Sequence, residues 1–190
     1  QTAAVPIIVD AKTQYVAACN AAETLLVHRN AANKLLPALA KAAEGKVALR
    51  GFADVKKIFE CETAKDEDCK TEYVDYILTV KIVDSIEEAI EHINRYGSHH
   101  TDCILTESDE AAEKFMTYVD SAGVYRNCST RFADGFRFGF GAEVGISTGK
   151  LHARGPVGVE GLVTYKYRLT GNGQIVADYA EGISTFKFRE

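Results

Sequence analysis

The chain has 190 residues, of which 46% are hydrophobic and 26% charged, and it carries a net charge of −5. That is enough for one good-sized domain with an appendage, and the composition is that of an ordinary globular protein. No Lys/Arg block suggests a nucleic-acid surface, no apolar run approaches the ~20 residues of a membrane span, and Gln1–Ala4 lacks the basic start of a secretory signal. A cytoplasmic setting is therefore expected, with an organelle as the other option. The five cysteines include no CxxC spacing, so reduced thiols are expected and no metal site.

In chain order, Thr2 is placed to cap a helix running to Gln14, with Ala4, Ile7, Ile8 and Ala11 on one face. Residues 22–28 read as a buried strand. A helix follows over 31–43, with Pro37 expected to kink it or shift its start. A short strand at 47–49 and a short helix at 52–59 come next. The acidic stretch 60–72 reads as a solvated loop. Residues 76–83 form a strong strand, and Ser85 with Glu88 a capping box for the next helix, whose buried face is Ile86, Ala89, Ile90 and Ile93. A strand at 103–106, a helix capped by Ser108 with Ala112, Phe115, Met116 and Val119 inward, and a strand at 122–125 complete the alternation.

Alternating strands and helices predict an α/β fold, a mostly parallel sheet with flanking helices. Residues 127–161 hold more than half of the glycines and little periodicity, which marks a functional loop. Residues 163–169 and 174–179 flank Gly171-Asn172-Gly173 and predict a β-hairpin. The hairpin would leave a free edge and so would serve self-association.

Two cysteines compete for a nucleophilic role. Cys19 is expected at a helix-to-strand junction, and Cys128 follows a strand beside Ser129, Thr130 and Arg131. Cys61 and Cys69 lie among acids that would raise their pKa. Cys103 falls within a strand. Arg131 offers a planar fork matched to a carboxylate, and the Ser129 and Thr130 hydroxyls add neutral donors. Adjacent His99 and His100 would point to opposite faces of an extended segment, which argues against a shared metal. His28 and His92 read as surface or strand-end residues. Ser147-Thr148-Gly149-Lys150 and the glycine stretch 139–145 are set aside, because neither has the flanking elements its motif requires.

The segment Tyr15–His28 around Cys19 resembles the cysteine motif of the γ-glutamyl phosphate reductases, a branch of the aldehyde dehydrogenase superfamily. Tyr96–Asp102, Asp120–Tyr125, Ser129–Gly135, Phe138–Thr148 and Leu151–Leu162 follow the same family's pattern in the same order. The resemblance implies an aldehyde-dehydrogenase-like catalytic domain at 1–161 and an oligomerisation hairpin and tail at 162–190. It implies a nucleotide-binding domain outside this chain, upstream of Cys19.

The implied reaction is NADPH-dependent reduction of L-glutamyl 5-phosphate to glutamate 5-semialdehyde, in proline biosynthesis. Cys19 would be the nucleophile, and main-chain N–H groups near Cys19 and Asn20 would hold the oxyanion. Glu72, in Glu72-Tyr73-Val74, is similar to a glutamate that accepts hydrogen bonds from the nicotinamide ribose. Val74 stands where that element carries an aromatic residue, and Val16 where a proline is common. The small-molecule substrate would meet Ser129, Thr130 and Arg131, and a homo-oligomer would form through 163–179. Another thioester-forming aldehyde dehydrogenase, or a non-catalytic assembly domain, are the alternatives.

Overall fold

The structure is a computed structural model and describes residues 4–188. Its centre is a parallel four-stranded sheet: β1 (Thr24–His28), β2 (Ala48–Gly51), β3 (Glu62–Thr63) and β4 (Ile77–Val83), in spatial order β1-β4-β2-β3. β4 pairs on both sides, with Leu25 opposite Val80 and Leu49 opposite Leu78. A strand covered on both faces must be apolar on both, and Leu78, Thr79 and Val80 are all fully buried.

Helices α1 (Ala4–Thr13) and α2 (Arg29–Ala43) pack Ile8, Ala32, Leu36 and Leu39 against Val27, Leu49 and Val80. α2 begins two residues before the expected start, because the His28 side chain caps it by accepting from the Asn30 N–H at 3.2 Å. Pro37 lies within the helix without ending it, and a single turn, α3 (Ala53–Lys56), follows β2. Thr2, the cap expected for α1, lies outside the described residues.

A second layer comprises α4 (Ile86–Tyr96), α5 (Asp109–Tyr118) and the parallel pair β5 (Thr101–Ile104) and β6 (Gly123–Arg126). Ile90, Phe115 and Val119 form its core. Both helices start on serine caps, Ser85 to the Glu88 N–H and Ser108 to the Ala111 N–H. The Glu88 carboxylate reaches the Asp84 N–H rather than that of Ser85, so the box is displaced by one residue. Met116 is exposed, not inward, while His92 is buried and not at the surface.

Three further expectations are corrected. The acidic stretch 60–72 is not a solvated loop. It supplies β3, the fourth parallel strand, and a 3₁₀ turn over Asp66–Lys70 that buries Asp68 and Cys69. The Asp68 carboxylate is satisfied by the Lys65 N–H, the Arg50 guanidinium and the Tyr73 hydroxyl, which is what allows it to leave water. The glycine-rich segment contains an antiparallel pair, β7 (Gly145–Ser147) and β8 (Gly155–Val157). Asp120 ties this segment to the body through Lys150 at 2.7 Å and Arg154 at 3.1 Å.

Residues 163–175 form no strand ladder, and a short helix α6 (Val176–Ala180) stands where the second hairpin strand was expected. Tyr165, Tyr167 and Leu169 project into solvent. A lone two-stranded hairpin is marginal in water, and no other strand of the described residues lies beside this one to supply its missing hydrogen bonds. Among the described residues no helix is long and apolar enough to cross a membrane.

Candidate active site

Cys19 lies in a loop of about ten residues between α1 and β1, rather than directly at the junction. The loop is fixed at both ends. At its base the Ala22 N–H returns to the Ala11 carbonyl at 2.9 Å, and the buried Lys12 Nζ meets Glu23 Oε2 at 2.6 Å in a partly buried ion pair. At its tip the Asn20 side-chain amide donates to the Ala133 carbonyl at 2.7 Å, and Thr130 Oγ1 donates to the Asn20 carbonyl at 2.7 Å. Residues more than a hundred positions away thus hold the chain immediately after the thiol.

The Cys19 side chain is exposed. It opens on a cavity of about 770 Å³ that Asn20, Glu23, Glu72, Asp102 and Cys128 also line. The main-chain N–H groups of Cys19 and Asn20 have no acceptor among the described residues. Two free donors beside a thiol can receive an oxygen that becomes negative when sulfur adds to a carbonyl.

His100 is the group that the sequence reading passed over. Its Nε2 lies 3.2 Å from Cys19 Sγ and its Nδ1 2.8 Å from Thr101 Oγ1, and the ring is 6% exposed. His99 turns the other way, to the Asp120 carbonyl at 2.7 Å. The juxtaposition of His100 with a cysteine 81 residues earlier was not legible from the sequence, because tertiary packing brings the bend before β5 against the α1–β1 loop. Burial pushes the His100 imidazole below its ordinary pKa, against the opposing charges of Glu143 and Glu72.

The other expected residues separate into two groups. Ser129 and Thr130 use their hydroxyls on the main chain, Ser129 accepting from the Arg131 N–H and Thr130 holding Asn20. The Asn20 amide likewise holds Ala133, and its buried Oδ1 has no partner. Arg131 and Glu72 are different. Arg131 donates to Gln14 Oε1 at 2.9 Å and lies over the Tyr15 ring, and among the described residues it has no carboxylate partner. Asp134 is taken by Arg137, and Glu143 by the Gly135 N–H. Burial lowers the Arg131 pKa, and Cys19 is near enough for its charge to oppose that shift. Glu72 is exposed, lines the same cavity as Cys19, and has no side-chain partner among the described residues.

Tyr73 next to it is pinned, donating to Asp68 at 2.6 Å and lying 2.7 Å from Thr79 Oγ1. Val74 closes the turn at a φ of 52°, a strained value for a β-branched residue. Strain of this kind persists only where the surroundings over-determine the backbone.

Three of the other cysteines, Cys61, Cys69 and Cys103, are held as thiols. Burial raises the pKa of Cys61 and Cys69, and that of Cys103 to about 11. No cluster of three metal-ligating side chains occurs among the described residues.

No family model matches the chain. It is 61% identical over 185 residues to a γ-glutamyl phosphate reductase of Acetivibrio thermocellus, covering 97% of this chain and 43% of that protein. It is 63% identical over 185 residues to γ-glutamyl phosphate reductase 1 of Synechocystis, covering 96% of this chain and 43% of that protein. The crystal structure of the Thermotoga maritima γ-glutamyl phosphate reductase superposes with a TM-score of 0.88 at 46% identity, over 92% of this chain and 42% of that one. Lactaldehyde dehydrogenase of Escherichia coli shares the fold at 18% identity, with a TM-score of 0.55 over 67% of this chain and 36% of that one. The chain spans about two fifths of the length of the curated relatives it matches. Sequence and fold together place these 190 residues in the γ-glutamyl phosphate reductase family, on an aldehyde-dehydrogenase-like α/β scaffold.

Proposed function

We propose that these residues form the part of a γ-glutamyl phosphate reductase that carries its nucleophile, and that the complete protein reduces L-glutamyl 5-phosphate to glutamate 5-semialdehyde. The observation that carries this reading is Cys19 itself: an exposed thiol on a clamped loop, at the mouth of a large cavity, with two free main-chain N–H donors beside it. Sulfur adds to the acyl carbon, the N–H pair holds the oxyanion, phosphate departs, and a thioester on Cys19 remains. Arg131, which has no carboxylate partner among the described residues, is the group for the α-carboxylate. Ser129 and Thr130 support the loop that presents it.

A nicotinamide cofactor, NADPH in this reading, supplies the hydride when bound. The residues present fit one edge of it: Glu72 points an uncommitted carboxylate into the Cys19 cavity, where its two oxygens suit two ribose hydroxyls. One such contact is worth ~1.5–3 kcal/mol, far short of the ~8 kcal/mol of a micromolar complex. The dinucleotide is therefore held mainly by sequence outside these 190 residues. Residues 1–161 act as the catalytic unit, and the segment 162–190, whose apolar residues are exposed over 162–188, serves self-association.

In the complete enzyme, Cys19→Ser is expected to abolish turnover without loss of stability, while Cys128→Ser keeps most of it. Near-normal kcat in Cys19→Ser would refute the assignment.

A further inference from the structure

We infer that His100 is the general base of this site: it takes the Cys19 proton as sulfur attacks, with Thr101 holding the ring in the tautomer that can do so. The inference rests on the assignment of Cys19 as nucleophile. The Thr101 hydroxyl oxygen lies 2.8 Å from His100 Nδ1, where it can accept the Nδ1–H. With the proton on Nδ1, Nε2 presents its lone pair to the Cys19 thiol, 3.2 Å away. The ring is anchored in the main chain as well, since β5 and β6 pair through Gly123, whose N–H meets the His100 carbonyl at 2.9 Å. A third group orienting the base of a nucleophile–base pair is the arrangement such chemistry requires.

Electrostatics agree with the neutral imidazole this role needs. The charged groups facing the ring are Glu72, from the loop before β4, and Glu143, from the segment before β7. The other groups around it are the Cys19 sulfur on the α1–β1 loop and the Thr101 and Ser98 hydroxyls on its own segment. Both carboxylates favour the imidazolium, yet burial outweighs them and keeps the ring uncharged at neutral pH. A base that is neutral before the reaction and charged only during it serves differential stabilisation.

The acylation half-reaction then balances. The S–H bond breaks toward Nε2, the C–S bond forms, and the bond from the acyl carbon to the phosphate oxygen breaks. The phosphate leaves carrying one proton, which the imidazolium gives up through solvent. The products are the thioester, hydrogen phosphate and neutral His100, with no electrons exchanged.

The test is alkylation of the complete enzyme that carries these residues by iodoacetamide between pH 5 and 10, with Cys19 followed by peptide mass spectrometry. His100→Gln and His100→Ala are expected to slow Cys19 alkylation at pH 7 about tenfold or more. Both should converge on the parent rate near pH 10, where hydroxide removes the proton. Cys128 alkylation in the same samples should be unchanged. Convergence at high pH is the readout that a merely structural role would not give. Equal rates at pH 7, or a loss of the same size at every pH, would overturn the inference. Far-ultraviolet circular dichroism checks that each variant folds, and should Ala fail, Gln, which keeps the volume, carries the test. Failure of the underlying reading looks different: Cys19 would react no faster than Cys128 at pH 7 in the parent enzyme.

Discussion

Replacing Lys12 by Met tests how the Cys19 loop is held. Lys12 is 1% exposed, and its ammonium is 2.6 Å from a Glu23 carboxylate that is itself only 19% exposed. The Lys12 stem is buried along its length, so Met preserves much of the packing and removes the charge. Breaking a buried pair by removing one partner costs ~3–5 kcal/mol, because the other charge is left without compensation. Glu23 keeps some solvent access and can escape by protonation, which puts the expected loss at ~3 kcal/mol at pH 7.

The pH dependence follows from the sign of the shift. Burial already holds the Glu23 carboxyl above its ordinary range, against the opposing hydrogen bond and charge of Lys12. A raised carboxyl contributes stability below its unfolded pKa and loses it as pH rises through the folded value. Without Lys12 the shift grows, so the penalty is largest at pH 7 and shrinks toward pH 5. Urea unfolding at both pH values, followed by circular dichroism, measures it. Adding Glu23→Gln should recover about 2 kcal/mol by removing the orphaned charge. A loss under about 1 kcal/mol at pH 7, as for a surface pair, or a larger loss at pH 5 than at pH 7, would refute the reasoning.

Two other substitutions probe the frame around the site. Burial, with Lys81 nearby, depresses His92 to about 4, so its stabilising share is complete above pH ~6.5 and is lost as pH falls toward 4. His92→Phe should flatten that acid limb by about 2 kcal/mol, read from unfolding midpoints at pH 7 and pH 4; an unchanged limb would assign it to other groups. Gly51→Ala would place a methyl 2.6 Å from Val55 Cγ1 and 2.7 Å from Cys61 Sγ, so a loss of ~1–3 kcal/mol in urea unfolding is expected.

Local signals determined much of this protein. The apolar run of β4, the serine caps at 85 and 108 and the stop at Gly97 are written within a few residues each, since periodicity and capping are short-range effects. The ordered motifs around Cys19 likewise carried the family. Tertiary packing decided the rest. The acidic stretch 60–72 became a strand and a buried turn because Arg50 and Tyr73 were there to satisfy Asp68. The tail from 163 has hairpin chemistry but no sheet to complete it, so alternation alone did not produce strands. His92 was buried by the helix and strand around it, not by its own polarity. His100 reached Cys19 only because the α1–β1 loop and β5 converge from positions 81 residues apart. Cys19 stands out as the candidate nucleophile only through the motif its segment resembles, whereas the imidazole beside it depends on which distant side chain the fold delivers there.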